Sequence, residues 1–160
     1  VLILDEIPIA LGRTGKMFAF EHYDIEPDIL CIGKGLGGGI IPQAAIITRD
    51  DYNVFGDISL GHYTHEKSPL GAIAGLTTID FIEDHDLLNK VNQDALFMEE
   101  SLRKLKENYA VIGDIRGKGL LWAVELVKDR TTKEKALEEE EKVMYSCMKK
   151  GLSFKVKHGL

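Results

Sequence analysis

The chain has 160 residues, 44% hydrophobic and 29% charged, with a formal net charge of −6 and no basic block. A chain of this length buries roughly two-thirds of its unfolded surface as one compact body, and the acidic balance makes nucleic acid and anionic membrane surfaces poor partners. No apolar stretch approaches the ~18 residues of a membrane span, and the two cysteines, Cys31 in an apolar strand pattern and Cys147 in a helical one, read as reduced core residues of a cytoplasmic protein.

The chain opens on Val1-Leu2-Ile3-Leu4, an apolar run before Asp5-Glu6 that predicts a strand ending in a carboxylate, Asp5. Further strands are predicted near 29–33 and 44–48, the first carrying Ile29-Leu30-Cys31-Ile32-Gly33 straight to Lys34 and a run of glycines. Strands this apolar belong to parallel sheets covered on both faces. A helix is predicted to begin after Pro69 and run to about Glu83, with Ala72, Ile73, Leu76, Ile79 and Ile82 recurring at helical spacing as core. A second follows Asp86, where Leu88, Val91, Ala95, Met98, Leu102 and Leu105 form one stripe; it is expected to bridge two domains. Residues 111–119 and 120–127 read as a strand pair or hairpin with glycines at its bends, and Arg116 within it as structural rather than anion-binding. From Lys133 to Lys142, Lys-Glu pairs at helical separations predict a solvated helix face. This pattern of strands and helices gives a layered α/β fold.

Ligands of open α/β sheets collect at the carboxyl ends of strands, so Asp5 and Lys34 are placed to face one crevice from neighbouring strands. A lysine carried into such a cavity loses part of its preference for the charged state and becomes a nucleophile or Schiff-base former. Taken singly, each candidate has a plainer reading: Lys34 as a strand-end lysine reaching water, Asp5 as a turn acid after a strand, Ile7 as core, and Thr64 as a loop threonine. His62, His65 and Glu66 have the order His-x-x-His-Glu rather than the zincin order His-Glu-x-x-His, so no metal site is predicted. The glycines follow Lys34 instead of preceding a lysine and a hydroxyl residue, which argues against a nucleotide phosphate loop.

Asp5-Glu6-Ile7-Pro8-Ile9-Ala10-Leu11-Gly12-Arg13-Thr14-Gly15, then Pro27-Asp28-Ile29, then Gly33-Lys34-Gly35-Leu36-Gly37-Gly38-Gly39, resembles the class III aminotransferases, pyridoxal phosphate (PLP) enzymes of fold type I. The resemblance runs through nearly the whole chain. It implies the three-layer α/β/α large domain of that fold, with its C-terminal half at 1–85, then an interdomain helix and the N-terminal part of the small α+β C-terminal domain at 86–160. It implies that Lys34 holds PLP as a Schiff base and moves the proton, and that Asp5 pairs with the pyridine nitrogen. Ile7 would pack on a face of the ring. Thr64, five positions before Pro69, would reach the cofactor phosphate of the partner subunit in a homodimer. A ring kept protonated is the electron sink for a carbanion beside the amine of a small-molecule substrate.

The departures matter as well. Where the family commonly has a glutamine near the cofactor's phenolic oxygen, this chain has Pro8, which offers no side-chain hydrogen bond. The usual glycine-rich loop is replaced by His62-Tyr63-Thr64-His65-Glu66-Lys67-Ser68. With Pro8, this loop resembles a sub-group that includes lyases releasing ammonia from hydroxylated aminophosphonates; Lys67, His62 and His65 would suit a dianionic phosphonate. A beginning inside a core strand and an end at Lys155-Val156-Lys157-His158-Gly159-Leu160 read as a chain truncated at both ends and inactive alone. Transfer of an amino group from an amine or amino acid to a keto or aldehyde acceptor is the first expectation, ammonia elimination the second, and a non-catalytic fragment the third.

Overall fold

The structure is a computed structural model that describes residues 1–52, 54, 56, 58, 61, 64 and 68–156. Three strands, β1 (Ile3–Asp5), β2 (Ile29–Ile32) and β3 (Ala45–Thr48), form one sheet in the order β1-β2-β3. β1 runs parallel to β2, whereas β3 is antiparallel to it, so the sheet is mixed rather than wholly parallel. Side chains alternate across a strand. Register therefore puts Leu4, Leu30 and Ile47 in one row and Ile32 with Ala45 in the next, all on one face. On the opposite face stand Ile3, Ile29 and Thr48, then Asp5, Cys31 and Ile46.

Burial follows that alternation, and among the described residues cover lies on one face of the sheet. Leu30, Ile32 and Leu36 are buried, packed by Leu4, Ala10, Leu11, Phe18, Phe20 and Ala45. The loop after β1 supplies most of that cover. On the other face Ile3 is 57% and Ile46 70% exposed, because no described element lies over them.

The start of the sheet is tied by Asp28. Its Oδ2 accepts the Leu2 amide at 2.7 Å, and its Oδ1 takes Arg49 Nη1 at 3.0 Å, so one carboxylate holds the segments before β1, before β2 and after β3. The Leu2 amide, and then the Arg49 charge against a desolvation penalty, hold this carboxyl below the usual carboxylate range.

α1 (Pro69–Asp84) follows Ser68, with Pro69 at a position where the missing amide costs nothing. Its packed residues are Gly71, Gly75 and Ile82, while Ala72, Ile73 and Leu76, read from spacing as core, are exposed. The reason is close approach: a Cβ built at Gly75 would lie 3.7 Å from Leu36 Cδ1, so glycines, not large side chains, form the face that meets the turn at Lys34–Gly37. α2 (Leu87–Asn108) carries the expected stripe with Leu88, Val91, Ala95 and Leu102 half-buried and Met98 and Leu105 exposed. Its outer face bears the i,i+4 pairs Lys90–Asp94, Glu99–Arg103 and Glu100–Lys104, each 2.6 Å.

The chain divides into two compact units, Val1–Ala95 with Lys118–Leu121, and Leu96–Gly117 with Trp122–Leu160, the division falling within α2. In the second unit β4 (Ile112–Lys118) and β5 (Leu121–Leu126) pair as a two-stranded sheet around buried Ile112, Leu126 and Ala136. Arg116 donates to Asp114 at 2.9 Å and Glu125 at 3.0 Å, an ion-pair network along the hairpin. Arg130 closes the end of α2 by donating to the carbonyls of Lys106 at 2.5 Å and Tyr109 at 3.0 Å, which satisfies orphan acceptors. α3 spans Leu137–Lys149, later than the charge pattern from Lys133 suggests. The Asp129 carboxylate captures the amides of Thr131 and Thr132 and Lys133 is left-handed (φ 57°), so a turn occupies the first part of that stretch. Among the described residues no helix is long and apolar enough to cross a membrane.

Residues 118–121 belong to the first unit, where the Leu120 N–H donates to the Arg13 carbonyl at 2.9 Å. Gly119 there has φ +58°, and a Cβ would strike the backbone of Arg13 and Thr14. Gly119→Ala is expected to destabilise the chain by at least about 2 kcal/mol, read by urea unfolding through Trp122, its single tryptophan. Asp28 gives a pH signature. Its folded-state pKa is lowered, so its contribution is complete above the unfolded value of ~3.9 and is lost as pH falls through the folded one. The difference in Tm between wild type and Asp28→Asn should be full at about pH 6 and shrink as pH falls through the lowered folded-state value; a difference that does not change with pH would discount the clamp.

Candidate active site

Asp5 is the last residue of β1 and lies on the exposed face of the sheet. Its Oδ1 accepts the Ile7 amide at 3.0 Å, and among the described residues nothing donates to Oδ2. β2 ends at Ile32, and Gly33 continues it in an extended conformation (φ −179°). Lys34 then breaks direction with φ 46° and opens a 3₁₀ turn over Lys34–Gly37, capped by left-handed Gly38. Because β1 and β2 are parallel with Asp5 opposite Cys31, carboxylate and amine leave the sheet from the same end.

Lys34 is exposed among the described residues, whereas the sequence leads one to expect a strand that carries it into a cavity. The described residues supply a floor and no walls: β2 is packed on one face alone. Among the described residues its Nζ has neither a hydrogen bond nor an ion pair.

Ile7 is half-buried, and its Cγ2 lies 3.5 Å from where a Cβ of Gly33 would be. Leu11 Cδ1 stands the same 3.5 Å from a Cβ built at Gly35. Two side chains of the loop after β1 thus stand beside the residues on either side of Lys34 and leave room there for little more than a methyl group. Pro8 is exposed, and Thr64 sits exposed in a turn without a hydrogen bond among the described residues. His62, His65, Glu66 and Lys67 lie outside the described residues. Among those described, no three His, Cys, Asp or Glu side chains are grouped to hold a metal ion.

The sequence reading missed two residues of this neighbourhood. Glu6, 3% exposed, accepts the amides of Ala19 at 2.6 Å and Phe20 at 2.7 Å. Buried Thr14 meets His22 Nε2 at 3.1 Å through both its carbonyl and its hydroxyl oxygen. A signal existed for Glu6: a second carboxylate directly after Asp5 must point to the opposite side, toward the core.

The sequence profile of the family described as "Aminotransferase class-III" matches residues 1–158. The chain belongs to this family. This class-III segment is 57% identical over 159 residues to the (R)-1-hydroxy-2-aminoethylphosphonate ammonia-lyase of Vibrio splendidus, covering 99% of the segment and 33% of that enzyme. The crystal structure of taurine:2-oxoglutarate aminotransferase from Bifidobacterium kashiwanohense, in complex with PLP and glutamate, superposes with a TM-score of 0.90 at 26% identity, covering 99% of the segment and 37% of that chain. Adenosylmethionine-8-amino-7-oxononanoate aminotransferase of Methanocaldococcus jannaschii gives a TM-score of 0.84 at 35% identity over 96% of the segment and 38% of that chain. The class-III segment therefore spans about a third of the length of these relatives, and its fold is that of the matching part of PLP-dependent aminotransferases.

The left-handed backbone at Lys34 gives a test independent of chemistry. A non-glycine residue there costs about 1–2 kcal/mol, part of which glycine forfeits through its larger unfolded-state entropy. Lys34→Gly is expected to be about 0.5–1 kcal/mol more stable than Lys34→Ala, both lacking the amine, in side-by-side urea melts. Equal stability would remove the strain from the account.

Proposed function

We propose that the protein carrying this segment is a PLP-dependent class-III enzyme that moves an amino group between a small-molecule amine and a keto or aldehyde acceptor. One observation carries the reading: Asp5 and Lys34, a carboxylate with one unengaged oxygen and an unpaired amine, end two adjacent parallel strands at the same side of the sheet. This donor set fits the cofactor. Asp5 Oδ2 would accept the N–H of a protonated pyridine ring, a charge-assisted bond. Lys34 Nζ would attach the cofactor and carry the proton to and from the substrate carbon that bears the amine. Ile7, fixed against Gly33, would cover one face of the ring. When bound, PLP supplies the electron sink that makes that carbon acidic.

Thr64 would reach the cofactor phosphate of a second subunit, which makes the working form a homodimer with its sites at the interface. Residues 1–85 are read as the C-terminal half of the cofactor domain, and 86–160 as the connecting helix and first part of the small domain. The two free thiols, Cys31 and Cys147, support a reducing, cytoplasmic setting.

A specific observation favours a second reading. The 57% identity to an ammonia-lyase extends over nearly the whole segment, and Pro8 replaces a side chain that would hydrogen-bond near the ring. Elimination of ammonia from an aminophosphonate-type amine uses the same Lys34 and Asp5, and differs in what leaves after deprotonation.

The test is a single turnover of the full-length protein with PLP and a candidate amine, without a keto acceptor. Loss of the cofactor's visible band with no free ammonia is expected for amino transfer. Return of the band with one equivalent of ammonia would establish the second reading instead. Borohydride trapping of PLP on the Lys34 peptide in wild type, and its loss in Lys34→Ala, would fix the attachment point; trapping elsewhere would overturn both readings.

A further inference from the structure

Glu6 is a buried carboxylate that amino transfer itself does not use. Both of its oxygens are engaged, Oε2 by the Ala19 amide at 2.6 Å and Oε1 by the Phe20 amide at 2.7 Å, at the start of the 3₁₀ helix Ala19–His22. Its backbone is engaged too. The Glu6 amide donates to the Cys31 carbonyl at 2.9 Å, extending the pairing with β2, and its carbonyl accepts the amides of Ile9 at 3.0 Å and Ala10 at 2.9 Å. The loop from Ile7 to Phe18 therefore leaves from and returns to one residue. Inside that loop the Leu11 amide closes onto the Met17 carbonyl at 2.7 Å, with Leu11 held at φ 60°. From this base Ile7 lies beside Gly33 and Leu11 beside Gly35, each 3.5 Å from where a Cβ would stand, so the loop flanks Lys34 on both sides.

We propose that Glu6 is a positioning residue for Lys34: its carboxylate clamps the base of the loop, and the loop, through Ile7 and Leu11, sets the backbone from which the amine projects. The inference rests on the reading that Lys34 carries PLP. Short N–H···O⁻ bonds to an ionised, buried carboxylate are strong and directional. A glutamine of the same size has one acceptor oxygen and one NH₂, so it confronts one of the two amides with a second donor. The clamp consequently needs a carboxylate and not merely a polar side chain. Sequence order matters as well, since Asp5 and Glu6 point to opposite sides: one faces the site, the other the loop.

The experiment compares wild type, Glu6→Gln and Ala19→Pro in the full-length protein. Ala19→Pro deletes one donor to Glu6 at the first position of the 3₁₀ helix, where proline is tolerated, and Phe18 before it already has the extended backbone that proline requires (φ −124°, ψ 145°). Without cofactor, hydrogen exchange is followed in residues 7–20, in 34–37 and in α1. With PLP added, the rate of borohydride-trappable attachment to the Lys34 peptide and the pH midpoint of the visible band are measured. Both variants are expected to exchange at least about tenfold faster over 7–20 and 34–37 while α1 is unchanged, since charged hydrogen bonds are worth roughly a factor of ten or more. Attachment is expected to slow by about the same factor, and the pH midpoint to shift, because Nζ moves relative to the Asp5 charge.

Faster exchange over 7–20 with wild-type attachment and midpoint would overturn the proposal, leaving Glu6 as loop structure only. Unchanged exchange over 7–20 in both variants would overturn the clamp itself. A wild type that traps no PLP on Lys34 would overturn the PLP reading and this inference together, a result distinct from either of the others. If Glu6→Gln does not fold, Ala19→Pro decides by the same readouts.

Discussion

The parallel pairing of β1 with β2 is the constraint from which the rest of the site follows. With Asp5 opposite Cys31, the two strands share a direction and end at one edge, so the carboxylate of the first and the amine beyond the second are brought to the same side without any contact between them. Parallel neighbours need a long crossover, which is usually a helix. Here residues 6–28 make the crossover with a 3₁₀ turn and no α-helix. Such a connection has little internal ladder to hold it, and it relies instead on a buried carboxylate, on the loop closure at Leu11 and Met17, and on Phe18 and Phe20 packed into the sheet core.

That arrangement contains strain, and the packing exceeds it. Leu11 and Lys34 are both left-handed, at about 1–2 kcal/mol each. Against this, Leu30, Ile32 and Leu36 are each buried, worth roughly 1.5–3 kcal/mol per side chain. Leu36 is the link: it lies two residues beyond Lys34, belongs to the sheet core and sits against Gly75 of α1. The turn is thus held from below by Leu36 and from the side by the loop after β1, and Lys34 is left as the residue with the strained backbone and the free side chain.

Much of this was legible in the sequence. Asp5 and Lys34 are marked by their places at the ends of two apolar runs, and the pairing of β1 with β2 makes those ends neighbours. Helix limits followed from Pro69 and the stripe after Asp86. What spacing failed to tell was which face packs. In α1 the close contact is made by Gly71 and Gly75, residues that carry no hydrophobic signal, so Ile73 and Leu76 were assigned inward. Alternation points Glu6 inward but does not name its partners, two backbone amides more than ten residues away, because backbone amides have no letter in a sequence.

The alternation of side chains along β1 carries a consequence for how this segment can change over time. Odd positions 3 and 5 look outward to the site face, while 4 and 6 look inward to the core and the loop. The chemistry of the segment is therefore written in parity. Gain or loss of a single residue before Asp5 would, if pairing with β2 were kept, send the Asp5 carboxylate toward the core and the Glu6 carboxylate toward the exposed face. A change of two residues would preserve both assignments. Drift in the length of this strand is accordingly confined to even steps, and the adjacent pair Asp5-Glu6, alike in charge and nearly alike in size, cannot exchange order without exchanging tasks.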